Sequence, residues 1–138
     1  MPTLTRWFIR TSMLFFVLAL SLGIWMALRP VPEGDYLDAV FSVYLHLLVF
    51  GWLTQLVFGV AYWMFPKLSL SRPHGSPALG WATYGLLNLG LLLRAIAEPL
   101  NDLRPGTSWG WLLVLSALLQ WLAGLGFVVN SWGRVKER

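Results

Sequence analysis

A chain of 138 residues that is 57% hydrophobic and only 12% charged lies outside the range of soluble domains, and its length suits one domain. Its net charge of +4 comes from basic residues scattered at the ends of apolar runs, a pattern that excludes a nucleic-acid-binding face. The absence of cysteine excludes disulfides, thiolate metal sites and covalent cofactor attachment through a Cys-x-x-Cys-His motif.

A helix needs about 20 mainly apolar residues to cross roughly 30 Å of hydrocarbon. The first run of that length is 7–28. Arg6 and Arg10 before it give it the look of a secretory signal, but it continues through Trp25 and Met26 and has only a weak cleavage site at Ser21 and Gly23. It is read as the first helix. Further runs follow at 39–65, 78–98 and 108–132, separated by "RPVPEGD", "PKLSLSRPHGSP" and "EPLNDLRPG". These punctuating segments are short, so successive helices should be antiparallel neighbours, with Pro99 ending the third. The expectation is an all-α integral membrane four-helix bundle of up-down topology, one transmembrane domain over 1–138.

Orientation follows from Lys and Arg in short connections. Arg6, Arg10, Lys67, Arg72, Arg134, Lys136 and Arg138 share one side of such a bundle. The other side has only Arg29 and Arg104, with Glu33, Asp35, Asp38, Glu98 and Asp102. Both termini are therefore expected in the cytoplasm. Trp7, Trp25, Trp63, Trp81, Trp109 and Trp132 lie near helix ends, where the indole ring anchors a helix at the interface.

The second run, "YLHLLVFGWLTQLVFGVAYWMFP", carries His46, about eight residues inside its outer end and so ~12 Å deep. Counted at helical spacing, the imidazole shares a stripe with Ser42, Val43, Phe50, Leu53, Val57, Ala61 and Met64. Gly51, Gln55, Gly59 and Tyr62 fall opposite, where small residues permit close helix packing. A neutral imidazole on a flat apolar stripe, with Phe50 and Leu53 as its walls, suits an iron porphyrin. The other reading is a histidine that hydrogen-bonds a neighbouring helix.

In the third run Arg94 lies about one turn below the outer surface, ~7 Å deep and shallower than His46. Two readings stand for it. One is a clamp on a carboxylate of the group that His46 would hold; the other is an ion pair with Glu98 at the i, i+4 spacing. Ser116, Gln120 and Gly124 in the fourth run are read as a polar seam between helices. His74, in the "SRPHGSP" connection, is expected to be solvated. No acid lies in a helix core, and there is no nucleotide loop and no nucleophile elbow.

From Tyr44 to Lys67 and on through "ALGWATYGLLNLGLLLRAIAEPL", the chain resembles the opening helices of the catalytic subunit of haem-copper oxidases and nitric oxide reductases. The B- and C-type oxidases are nearest in pattern: a helix with an early histidine closes on a tyrosine, a proline and a basic residue, as Tyr62, Pro66 and Lys67 do here. The likeness is best over 35–99 and looser over all four helices. It implies an inner-membrane, multi-pass protein in which His46 is an axial ligand of haem b, with the propionates toward the outer face. Arg94 is assigned by depth and not by the motif. The full catalytic subunits have many more helices and histidines, whereas this chain has only His46 and His74 and does not build a haem-copper centre alone. A similar pattern in the C-type oxidases marks a copper ligand, which leaves that role open for His46.

Six-coordinate haem needs a second axial group, so ligand counting leads to the expectation of a homo-oligomer, a dimer above all, in which two copies of His46 face across a two-fold axis. A five-coordinate haem in each protomer is the other option. The function implied is electron transfer or binding of O2 or NO, with membrane lipid and a respiratory-chain protein as partners. The alternative is a non-enzymatic accessory or assembly subunit of a respiratory complex. A small multidrug transporter matches in length but needs an embedded acid that "MLFFVLALSLGIWMAL" lacks.

Overall fold

The computed structural model of the chain describes residues 1–28, 36–70, 73–104 and 109–135, the side chains of residues 36 and 37 excepted. The charges expected at Arg29, Glu33, Asp35, Arg72, Lys136 and Arg138 lie outside the described residues. The elements in order are α1 (Thr3–Leu28), α2 (Tyr36–His46), a π-helix π1 (Leu47–Thr54), α3 (Gln55–Met64), α4 (Pro77–Leu103) and α5 (Trp109–Trp132). Joined end to end, α2, π1 and α3 make one rod, so four segments are long and apolar enough to cross a membrane: Thr3–Leu28, Asp38–Met64, Pro77–Leu103 and Trp109–Trp132.

Local chemistry accounts for the ends of α4. Ser76 caps its start, the hydroxyl accepting from the Leu79 N–H at 3.4 Å, and Pro77 follows at the first helical position. The helix does not stop at Glu98 as Pro99 suggests; it runs on to Leu103. A proline removes its own i→i−4 bond, yet the residues after it still reach back, as the Arg104 N–H does to Leu100 at 3.1 Å.

The middle of the second span departs from α geometry because its buried residues repeat every four positions. Leu47, Gly51, Gln55 and Gly59 are all buried, whereas Leu45, Val49, Leu53 and Val57 are all exposed. On an α-helix a four-residue repeat drifts by about 40° per step. The wider turn of π1 holds the column against α1 instead. The contact is close: a Cβ on Gly51 would stand 2.9 Å from Phe15, and one on Gly59 would stand 2.7 Å from Phe8. The glycine face read from the sequence is therefore the packing face, with Tyr62 and Gln55 buried on it as expected.

Packing is sequential: α1 lies along the second span, the second span meets α4, and α4 runs along α5 for most of its length. The core gathers Phe8 and Phe15 from α1, Val43, Leu47 and Tyr62 from the second span, Leu87 and Leu91 from α4, and Ala123 from α5. In the polar seam between α4 and α5, Ser116 donates to the Gly90 carbonyl at 2.7 Å and Gln120 donates to Ser116 at 3.2 Å. Gly90 permits this approach, since a Cβ there would lie 2.9 Å from Gln120. Gly124 does not belong to the seam; a Cβ on it would meet nothing within 4 Å.

At the end that carries both termini, Arg134 is fully buried rather than loop-exposed. It donates to the carbonyls of Pro66, Phe65 and Tyr62 at 3.1, 2.8 and 2.9 Å. Those are the orphan acceptors at the C-terminus of α3, where a cation is also favoured by the helix dipole. His74 corrects the expectation of a solvated loop residue: it lies 5.4 Å from the Tyr62 ring and its Nδ1 is buried. The turn that delivers it uses Gly75 at φ +78°, and the Asn130 side chain accepts from the Ser76 N–H at 2.8 Å.

Candidate functional site

α5 leans on α4 and leaves a gap beside the second span. There a groove of about 530 Å³ is lined by His46 and Phe50 on one wall, Gln120, Trp121 and Gly124 on the other, and Arg94 from α4. His46 ends α2 and is followed at once by π1. Insertions of this wider helix are frequent at functional sites because they re-aim side chains.

The imidazole is held from behind. Its Nδ1 lies 2.8 Å from the Ser42 carbonyl, one turn back. A carbonyl only accepts, so Nδ1 carries the proton and, in the neutral ring, Nε2 carries the free lone pair. A backbone partner on the far nitrogen is the arrangement that orients histidine as a metal ligand. Phe50 stacks on the imidazole at 5.6 Å and 15°, which restricts ring rotation. Further along the same column, Phe58 stacks on Phe127 of α5 at 3.9 Å and 4° and joins the two helices.

Arg94 is tied to Glu98: Nε to Oε2 is 2.9 Å and an Nη reaches Oε1 at 3.4 Å. The ion-pair reading of Arg94 is thus present in the structure, and the same guanidinium lines the groove. Of the residues singled out in the sequence, His46, Phe50 and Arg94 come together, whereas Leu53 does not. Seven residues make nearly two α turns, which would return Leu53 to the face of His46. In π1 they make fewer, and Leu53 points outward at 48% exposure. The whole α5 wall, Ala117, Gln120, Trp121, Gly124, Leu125 and Val128, is lining that sequence reasoning did not assign to the groove. The four-residue spacing of Gln120 and Gly124 with Ser116 was visible, but not that the column turns from the α4 contact toward His46.

The family model for cytochrome c and quinol oxidase polypeptide I matches residues 3–135, which spans all four membrane helices. The chain belongs to this family. No curated protein and no solved structure gives a match. Members of the family bind haem, and the residues present fit one side of such a group. His46 offers an oriented nitrogen donor, Phe50, stacked on His46, and Trp121 across the groove offer apolar surface, and Arg94 offers a cation at the rim. Among the described residues no three His, Asp or Glu side chains converge on a point. The groove lining supplies no second imidazole and no thioether.

Proposed function

We propose that this family member binds haem b at the His46 groove in the inner membrane, with both termini cytoplasmic, and serves electron transfer or the binding of O2 or NO. The observation that carries the reading is the tethered imidazole. Ser42 holds Nδ1, so Nε2 is the nitrogen left for iron, and it belongs to a side chain that lines the groove. Haem held there would supply a one-electron couple and, with one axial position open, a gas-binding iron.

The chain's own residues then have separate duties. Ser42 and Phe50 orient the imidazole, and Gly124 leaves the opposite wall open to a flat group. Arg94 receives a carboxylate in addition to Glu98. Because the lining offers one imidazole, His46 of a second copy would supply the other ligand to a six-coordinate haem, which makes a homodimer part of the proposal; a single copy would leave the iron free to take a gas.

The test is an absorption spectrum of protein purified from haem-sufficient cells. A Soret band is expected for the wild type and is lost in His46→Ala, while the far-UV helical signal is retained. A colourless wild-type protein that copurifies with a larger respiratory partner would refute this reading and favour an accessory subunit.

A further inference from the structure

The end of the molecule that bears the termini has a second concave surface. A cavity of about 570 Å³ opens beside the end of α3 and is lined by Trp63, Met64, Phe65, Pro66, Lys67 and His74 among others. Two of these are cationic or titratable, and the fully buried Arg134 stands behind the same wall, bonded to the carbonyls of Phe65 and Pro66. Its full charge exceeds the roughly half-unit negative charge of the helix terminus it caps, so the region stays positive. One guanidinium nitrogen remains unpaired: the Arg134 Nη1 is buried and has no partner among the described residues, and His74 lines the cavity with a buried Nδ1. Among the described residues no acid stands near them: Asp38, Glu98 and Asp102 all lie at the opposite end.

Directly alongside runs an apolar groove of about 460 Å³, lined by Leu56, Val57, Val60, Ala61, Met64 and Phe65. It shares Met64 and Phe65 with the cationic cavity, so the two form one continuous surface along α3. Trp63 and Met64 at their junction are 47% and 68% exposed, on the side where membrane would lie. A positive pocket at the interface, continued by a greasy channel along a spanning helix, has the polarity of an anionic lipid: phosphate at one end, hydrocarbon at the other.

We propose that this surface binds the phosphate of an anionic phospholipid, with Lys67 and His74 at the headgroup and the α3 groove along one acyl chain. Juxtamembrane basic residues contribute a factor of about five each to anionic lipid affinity. Phosphatidylglycerol should therefore bind several-fold more tightly than phosphatidylcholine. Native mass spectrometry of the full chain in dodecyl maltoside, titrated with equal amounts of the two lipids, measures that ratio. The ratio is expected to fall to near one in Lys67→Gln/His74→Gln. In Val60→Trp, which fills the groove without touching a charge, the occupancy of both lipids should drop. Inorganic phosphate has no chain and should not displace phosphatidylglycerol. Equal binding of both lipids to the wild type, an unchanged ratio in the charge variant, or displacement by millimolar inorganic phosphate would each overturn the assignment, the last in favour of a free-phosphate site.

Discussion

Gly59 and Gly124 both lie in spanning helices, yet replacing each with alanine should move stability in opposite directions. A Cβ on Gly59 stands 2.7 Å from the Phe8 Cβ and 3.5 Å from the Thr5 carbonyl oxygen. Carbon atoms pack at about 3.5–4.0 Å, so α1 must retreat by roughly 1 Å. Neither obstructing atom is the tip of a flexible chain, and the retreat loosens Leu4, Phe8 and the other α1 residues buried on this face. Overpacking of this kind costs about 1–3 kcal/mol. Gly124 meets nothing within 4 Å, so there alanine brings only its better helix propensity, about 0.8–1.0 kcal/mol. The same propensity gain acts at Gly59, so the two variants should differ by the overpacking cost alone, about 1–3 kcal/mol. Reversible unfolding in mixed dodecyl maltoside and SDS micelles, followed by far-UV circular dichroism, reads the difference as a shift of midpoint to lower SDS for Gly59→Ala and to higher SDS for Gly124→Ala. Equal shifts of the same sign would refute the packing argument.

A large residue at Gly124 probes the groove in a different way. Gly124→Trp should fill the space facing His46, so the Soret absorbance per protein falls while the SDS midpoint stays near that of the wild type. Arg134→Met removes three bonds to the end of α3 and should destabilise by about 2–4 kcal/mol in the same assay, since hydrogen bonds to charged groups contribute about 1.5–3 kcal/mol each and desolvation of the guanidinium offsets part. His74 predicts a pH dependence. Burial first, then the charge of Arg134, pull its pKa below the ordinary 6.5; the Tyr62 carbonyl acts the other way, and Lys67 and the N-terminal ammonium add smaller downward pulls. The unfolded chain therefore binds this proton before the folded one does. The stability that the neutral ring contributes is complete above pH 6.5 and declines as pH falls from there through the folded pKa. His74→Gln should flatten that part of the pH profile.

The spans were legible because a bilayer imposes length and hydropathy directly, and each of the four runs became a helix close to its expected limits. The glycine face of the second span was legible for a related reason: small residues at short spacing have few uses in a membrane helix other than close packing. The i, i+4 pair of Arg94 and Glu98 is local and could be read from spacing. What escaped were properties of counting and of distant approach. Leu53 was placed beside His46 by assuming 3.6 residues per turn, although the strict repeat of Leu47, Gly51, Gln55 and Gly59 already argued for a wider turn. Arg134 was taken as one more charge in a basic terminus. Its burial depends on the end of α5 arriving beside the end of α3, 68 to 72 residues earlier in the chain, which no local pattern encodes. His74 follows the same logic, since the residue that buries it is Tyr62 on another element.

The π segment makes the aim of His46 a matter of arithmetic rather than of side-chain choice. Downstream, α3 is pinned by Gly59 against Phe8 and by its Arg134 cap, so its rotation about the helix axis is set by neighbours. Upstream, the imidazole takes its direction from how many residues separate it from that anchor. Each residue of an α-helix turns the chain by about 100°. Deleting one residue between His46 and Gln55 would therefore swing the imidazole out of the groove while leaving every groove-lining side chain in the sequence. The eight residues of π1 act as a phase setter: they determine whether the histidine faces Trp121 and Gly124 or the surrounding lipid.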